Sequence, residues 1–143
     1  MTYNTLADMI EKHQPALARA IATEGLAQGL KTYQGFALDP FALLIEKTVA
    51  NLARYVRNGN PAEYEAYVVQ LVRERIAQGR DTDDVLALSD IMYEQIQLMI
   101  MREWAGEANK ITRERFLQKI NGIRTFGHIT FRATRLEVRR VQN

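Results

Sequence analysis

The chain contains no cysteine. This absence excludes a disulfide framework, a thiolate nucleophile and a cysteine metal site, and it is typical of proteins from a reducing compartment. Residues 1–10 lack the basic start and apolar run of a secretory signal. No stretch approaches the roughly 18 apolar residues that a membrane-spanning helix needs. We therefore expect a soluble, cytoplasmic protein without a membrane partner.

Histidine is almost as scarce, since His13 and His128 are the only two. A haem globin needs a proximal histidine on a helix in the later middle of its fold. The helix that we expect at that place carries Met92, Tyr93 and Met99 and no imidazole. We therefore expect no haem, and we interpret both histidines as residues at the surface or between helices.

The common signatures of catalysis and metal binding are missing as well. The chain has no Glu-x-x-His pair, no Gly-x-Ser-x-Gly elbow, no P-loop and no dinucleotide fingerprint. Asp81, Asp83 and Asp84 lie close together, but the apolar residues that follow them do not fit a calcium-binding loop. We interpret them as acidic residues at the start of a helix. We expect no catalytic residue, no metal site and no enzyme activity.

A helical pattern is what the sequence does contain. The chain has 143 residues and is 47% hydrophobic, which is enough to bury a single core. Apolar residues recur at spacings of three and four, and no segment alternates as a strand does. The pattern predicts one all-α domain, residues 1–143, of five or six helices with a long C-terminal helix.

The clearest segment is a helical hairpin over residues 61–104. Its first helix begins at Asn60 and Pro61 and ends at Gly79, and its second begins with the three aspartates and ends before Gly106. Apolar side chains at helical spacing mark the buried faces: Tyr64, Val68, Leu71, Val72 and Ile76 on the first helix, and Val85, Leu88, Met92, Ile96 and Met99 on the second.

Two features of this hairpin bear on ligands. Arg75 lies close to the apolar stripe of the first helix, so we predict that its charge pairs with Asp84 or Asp90, and a buried arginine is also what an acidic ligand would use. The second helix also carries flexible and aromatic side chains that fit an apolar ligand, a partner helix or ordinary core: Met92, Tyr93, Met99, Met101 and Trp104.

The N-terminal part is less regular. Asn4 or Thr5 can cap a first helix near Leu6, and Pro15 predicts either two short helices or one kinked helix. Residues 23–38 contain three glycines and are interpreted as a connection or a short irregular helix. Asp39 and Pro40 are typical of a helix start, and the helix that follows ends at residues 58–59.

The last predicted helix runs from Thr112 to Val141, about 30 residues and 45 Å. A globule of this size has a radius of gyration of about 14 Å, so such a helix either bends at Gly122 or Gly127 or packs against something outside the subunit. We predict that a second copy covers its apolar stripe. The expected dimer interface consists of Phe116, Ile120, Ile123 and Phe131.

Charge is unevenly distributed, although the net charge is only +2. From Glu107 onward nine basic residues face three glutamates, a balance of +6, whereas the first 106 residues hold ten basic and fourteen acidic residues, a balance of −4. A basic tail can bind nucleic acid, but no recognised motif accompanies it. We favour oppositely charged surfaces that pair with a second copy or a protein partner.

The hairpin resembles a known family. A helix from Tyr67 ends in Arg73, Glu74 and Arg75 with Gly79 after it, and an acidic-capped helix then begins with Val85 and continues to Ile100. Together with the helix before it, over residues 44–101, this arrangement resembles the N-terminal sensory domain of RsbR-type stressosome regulators, which is globin-like and lacks haem.

The resemblance implies a globin-like fold, a homodimer built through the terminal helices and a role in stress-response signal transduction. Members of that family carry a following STAS domain, so we expect either the sensor region of a longer product or a relative whose STAS-domain partner is a separate protein. The signal, the downstream partner and any cofactor-binding residues stay unknown at this point.

The sequence therefore favours a non-catalytic sensory or regulatory domain that relays a ligand or partner signal through helix packing. A second hypothesis is a globin-like carrier of an apolar small molecule or chromophore, held between the helix that begins at Pro40 and the second hairpin helix. A third is a helical protein that binds nucleic acid through the basic tail.

Overall fold

The computed structural model describes residues 6–142 and shows an all-α protein, with no strand in this part of the chain. Two short 3₁₀ turns, Lys31–Tyr33 and Glu107–Asn109, lie between helices. The prediction of five or six helices ending in a long one is confirmed. The helices are α1 (Leu6–Lys12), α2 (Gln14–Ala27), α3 (Leu38–Asn58), α4 (Pro61–Ala77), α5 (Thr82–Glu103) and α6 (Lys110–Gln142).

The N-terminal region forms two helices rather than one kinked helix. The chain breaks at His13, and Pro15 occupies the first turn of α2, where its missing N–H group has no intrahelical partner to lose. The expected caps Asn4 and Thr5 lie outside the described residues. The interpretation of residues 23–38 as irregular is wrong for residues 23–27, because α2 continues to Ala27 before Gly29 turns the chain at a φ of 68°.

Both helices of the hairpin start where expected, and a side chain caps each of them. The Asn60 side chain accepts the backbone N–H of Ala62 at 3.1 Å, and the Asp81 side chain accepts that of Asp83 at 2.8 Å. The predicted cap at Asp39 is wrong, because α3 begins two residues earlier than predicted, at Leu38, and Ala37 takes the cap position. The Asp39 carboxylate instead accepts a hydrogen bond from Arg19 Nη1 of α2 at 2.7 Å.

The final helix is continuous over 33 residues, about 50 Å, and passes through Gly122 and Gly127 without ending. It packs lengthwise against α4 and α5. Gly127 is buried there, and a Cβ atom at this position would lie 3.4 Å from Tyr93 Oη. Gly122 faces solvent with no atom within 4 Å of such a Cβ. The length of α6 is therefore accommodated along the body of the subunit.

Gly122→Ala is expected to raise the free energy of unfolding by about 0.5–1 kcal/mol, because alanine has the higher helix propensity and meets nothing at this position. Urea unfolding followed by circular dichroism measures the change. Gly127→Ala is the matched control on the same helix, and its gain is expected to be smaller because the added methyl group crowds Tyr93. Equal gains for the two variants would contradict this account of α6.

Close helix packing shapes the core near α3 and α5. Gly25 of α2 is buried, and a Cβ atom there would lie 2.8 Å from Leu88 Cδ1 of α5, so the missing side chain lets the Leu88 methyl group pack directly on α2. Phe41 of α3 lies beside the same contact. This contact forms one wall of the candidate site.

Candidate functional site

A cavity of about 80 Å³ lies between α3 and α5, and residues of α2, α4 and the first 3₁₀ turn complete its walls. Its surface is mostly apolar, with Ile21, Phe41 and Val85 among the buried contributors. Leu44 is 48% exposed and lies on the solvent side of the cavity. The polar groups of the wall are the side chains of Tyr33, Thr48, Arg75 and Ser89.

An aromatic cluster holds the first 3₁₀ turn in place. Tyr33 stacks on Phe41 with ring centroids 4.9 Å apart, and Phe36 meets the Phe41 ring edge-on at 5.5 Å. The Arg80 guanidinium lies 5.2 Å from the Phe36 ring centroid and donates to the Thr32 carbonyl at 3.4 Å. The glycine-containing segment within residues 23–38, which the sequence predicts to be irregular, therefore supplies part of the cavity wall.

Arg75 does not pair with the acids that we predicted, so that prediction is wrong. Asp84 accepts the backbone N–H of Thr32 at 3.0 Å. Asp90 lies next to α6, where its Oδ1 contacts Arg124 Nη2 at 3.1 Å and His128 Nε2 at 2.8 Å. The approach of α6 to α5 gives Asp90 these partners, and Arg75 remains at the cavity.

The pKa of the Tyr33 hydroxyl reflects the charges around the cavity. Burial raises the pKa of its hydroxyl, and the positive charge of Arg75 opposes this shift. The carboxylate of Asp84 raises the pKa further, and a hydrogen bond from Arg75 to the hydroxyl and the charge of Arg80 lower it. The phenol is therefore neutral near pH 7 and is available as a hydrogen-bond donor inside the cavity.

A second cavity of about 40 Å³ adjoins the first. The two cavities share four wall residues: Thr48, Leu71, Ser89 and Met92. On its far side the second cavity is lined by Gly127, His128 and Phe131 of α6. One layer of side chains therefore separates the first cavity from the final helix.

The second cavity is bordered by hydroxyl groups that bond to each other. Tyr64 and Tyr93 share a hydrogen bond between their phenol oxygens, and Thr48 pairs with Tyr67 in the same way. Burial raises the pKa of Tyr64 to about 12 and raises that of Tyr93 well above its usual value. These groups are satisfied within the chain and hold α3, α4 and α5 together.

The two histidines lie away from the first cavity. His128 contacts Asp90 between α5 and α6, which confirms its interpretation as a helix-interface residue, and His13 Nε2 lies 3.6 Å from Glu103. Among the described residues, no group of three or more histidine, aspartate or glutamate side chains is arranged to hold a metal ion. The prediction that the chain binds no haem stays untested.

The methionine-rich surface that we predicted on α5 is divided between different environments. Met92 lines both cavities, and Met99 belongs to the core. Met101 is exposed on the outer side of α5, and Trp104 packs edge-on against Phe116 with ring centroids 4.8 Å apart. Met92 is therefore the methionine that a ligand in the first cavity would contact.

The apolar stripe that we assigned to a dimer interface is covered by its own subunit. Ile120, Ile123 and Phe131 are 0%, 5% and 4% exposed, and Phe116 is partly buried against Trp104. The expectation that this stripe has no cover within the subunit is wrong, because α6 lies along α4 and α5. The large apolar side chains that α6 does expose are Ile111, Ile129, Leu136 and Val141.

Comparison with protein-family models, curated proteins and solved structures finds no match to this chain. The resemblance of residues 44–101 to RsbR-type sensory domains therefore stays a prediction. In the described part of the chain, no helix combines the length and apolar character that crossing a bilayer requires.

Proposed function

We propose that this chain is a non-catalytic sensory or regulatory signalling domain, globin-like and without haem, in which a small ligand between α3 and α5 changes the packing of α6. The observation that carries the proposal is the cavity itself, with a charged side chain on its wall whose buried Nε has no partner among the described residues. Protein interiors are close-packed, and buried polar groups are nearly always paired. A site that departs from both rules is a candidate for a ligand.

The adjoining cavities provide a route from the ligand to α6. Leu71, Ser89 and Met92 form both the inner wall of the first cavity and the outer wall of the second. Methionine changes rotamer readily, so a ligand that displaces the Met92 side chain moves it toward Gly127 and Phe131 of α6. Packed helix interfaces respond to such displacements by small shifts between discrete arrangements.

The outward side of α6 is where we expect the signal to leave the domain. It exposes Ile129, Leu136 and Val141, which are suited to a second copy or to a signalling partner such as a STAS-domain protein.

Three of the nine basic residues of the tail are already engaged within the chain. Arg124 and Arg135 pair with Asp90 and Asp83, and Arg113 donates to backbone carbonyls, which leaves less charge for nucleic acid.

Xenon tests the relay without assuming a ligand, because it occupies apolar cavities. Protein with labelled isoleucine, methionine and threonine methyl groups is examined by NMR under xenon pressure. We expect shifts at Ile21, Ile45 and Met92 of the cavity wall and also at Ile123 and Thr130 of α6. Met9 of α1 does not line the cavity and serves as the internal control.

The pattern of shifts separates the two functions that the cavity allows. Shifts confined to the cavity wall would overturn the sensory proposal and favour the alternative, a passive carrier of an apolar small molecule. No shift at any wall methyl group would overturn both, because the cavity would then not admit even a single apolar atom.

A further inference from the structure

Arg75 has unused hydrogen-bonding capacity at the cavity. Among the side chains that the structure describes, its Nε is the one fully buried nitrogen or oxygen without a hydrogen-bond partner. Its Nη1 contacts Gln78 Oε1 at 3.5 Å, the outer limit for a hydrogen bond, and no described carboxylate lies within ion-pair distance. A guanidinium presents five N–H donors in a planar fork that matches a carboxylate.

The charges near Arg75 favour an anion. Two cations, Arg75 and Arg80, act on the Tyr33 hydroxyl together with one acid, Asp84, and Asp84 already accepts the backbone N–H of Thr32. The Tyr33 hydroxyl, whose oxygen accepts from Arg75, also supplies a neutral O–H donor on the same wall. An anion that enters here therefore meets a net positive charge and two kinds of donor.

The remainder of the wall selects an apolar tail. Ile21, Phe41, Ile45, Val85 and Met92 present hydrocarbon, aromatic and thioether surface, and the Thr48 hydroxyl is already bonded to Tyr67. At about 80 Å³ the cavity has roughly half the volume of an engineered cavity that holds benzene, so it has room for a tail of about three carbon atoms.

We propose that this cavity binds a short-chain monocarboxylate, with the carboxylate on the Arg75 guanidinium and the hydrocarbon tail between α3 and α5. The proposal rests on the proposed function, since it names the class of ligand that the sensory cavity takes. Arg75 fixes the charge of the ligand, and the volume of the cavity fixes its length. Butyrate has the matching charge and tail.

Calorimetric titration of the whole chain with butyrate, in a buffer free of other carboxylates, tests the proposal. We expect saturable binding, and we expect butanamide and 1-butanol, which have similar shape and no charge, to bind at least about tenfold more weakly. Sodium chloride and inorganic phosphate at equal ionic strength test whether any anion suffices. The same titration observed by methyl NMR is expected to shift Ile21, Ile45 and Met92.

Two arginines of α4 form a matched pair of variants. Arg75→Met is expected to weaken butyrate binding at least about tenfold while the protein stays folded, since the change removes an unpaired buried donor. Arg73→Met is the control, because Arg73 is exposed and lies near Glu137 of α6, 3.6 Å away. Its affinity for butyrate is expected to remain that of the unchanged chain.

Chain length provides an independent test that does not involve Arg75. Affinity is expected to rise from acetate to butyrate and to fall at hexanoate, because the longer tail exceeds the first cavity. Met92→Ala opens the shared wall and joins the two cavities, so the preferred chain is expected to lengthen toward hexanoate.

Three results would overturn the carboxylate proposal. The first is equal binding of butyrate and butanamide, and the second is unchanged butyrate binding by Arg75→Met. The third is no saturable binding of any acid up to about 10 mM, which would mean that the cavity holds only water. Each of them leaves the xenon experiment unaffected. Failure of the ligand class is therefore distinguishable from failure of the sensory function.

Discussion

Ile123→Asp is expected to unfold the chain rather than to dissociate a dimer. Ile123 is 5% exposed within its own subunit, on the side of α6 that packs against the body of the domain. A carboxylate there loses its hydration without gaining a partner and also removes apolar burial, at a cost of about 4 kcal/mol or more in the free energy of unfolding. Circular dichroism during urea unfolding measures the loss.

Ile129→Asp is the matched control on the same helix. Ile129 is 62% exposed, so its replacement is expected to change the free energy of unfolding by no more than about 0.5 kcal/mol. Analytical ultracentrifugation of this variant then reports on association through the outward side of α6. A folded, monomeric Ile123→Asp protein, from a parent that dimerises, would contradict our placement of the stripe inside the subunit.

Local signals in the sequence were sufficient to define the hairpin. Asn60 caps α4 as predicted, and Asp81, one of the three acids predicted at the start of α5, caps that helix, because a cap depends on two or three neighbouring residues. Gly79 turns the chain at a φ of 71°. Asp39 has the same residue type as Asp81 but pairs with Arg19 of α2 instead. Helix α3 begins at Leu38 with Ala37 at its cap position, and neither residue is a local signal for a helix start.

The stripe on α6 shows a different limit. Phe116, Ile120, Ile123 and Phe131 recur at helical spacing, which correctly indicates a covered face of a helix. Periodicity gives the covered face but not the chain that covers it. A radius of gyration describes a round globule, whereas α6 lies along two helices of 17 and 22 residues that are themselves long.

The candidate cavity was only partly predictable. The sequence predicts a carrier's cavity between α3 and α5, and it indicates Arg75 because a charged residue there adjoins an apolar stripe. Tyr33, Thr48 and Ser89 were missed. The aromatic residues Tyr33 and Phe36 among glycines were the available signal, but a cavity arises from the relative positions of several helices, and no single segment encodes these.

Alkaline pH is expected to destabilise the fold through the buried tyrosine pair. Tyrosine has a pKa of about 10 in an unfolded chain, whereas burial raises the pKa of Tyr64 to about 12 and that of Tyr93 well above its usual value. Above pH 10 the unfolded chain loses protons that the folded chain retains. The stabilisation is therefore complete below pH 10 and is lost as the pH rises toward 12, at about 1.4 kcal/mol per pH unit for Tyr64, with Tyr93 adding to the loss.

Urea unfolding at pH 8, 9, 10 and 11 measures this loss, and the double variant Tyr64→Phe/Tyr93→Phe is its control. Replacing both hydroxyl groups leaves no unpaired donor, so the double variant is expected to be nearly as stable as the unchanged chain at pH 8 and less sensitive to alkali. Tyr93→Phe alone leaves the buried Tyr64 hydroxyl without its partner and is expected to cost about 1–3 kcal/mol at pH 8. If the double variant loses stability with pH as steeply as the unchanged chain, the pair is not the source of the alkaline sensitivity, and the hydrogen bond that joins α4 to α5 does not contribute as we infer.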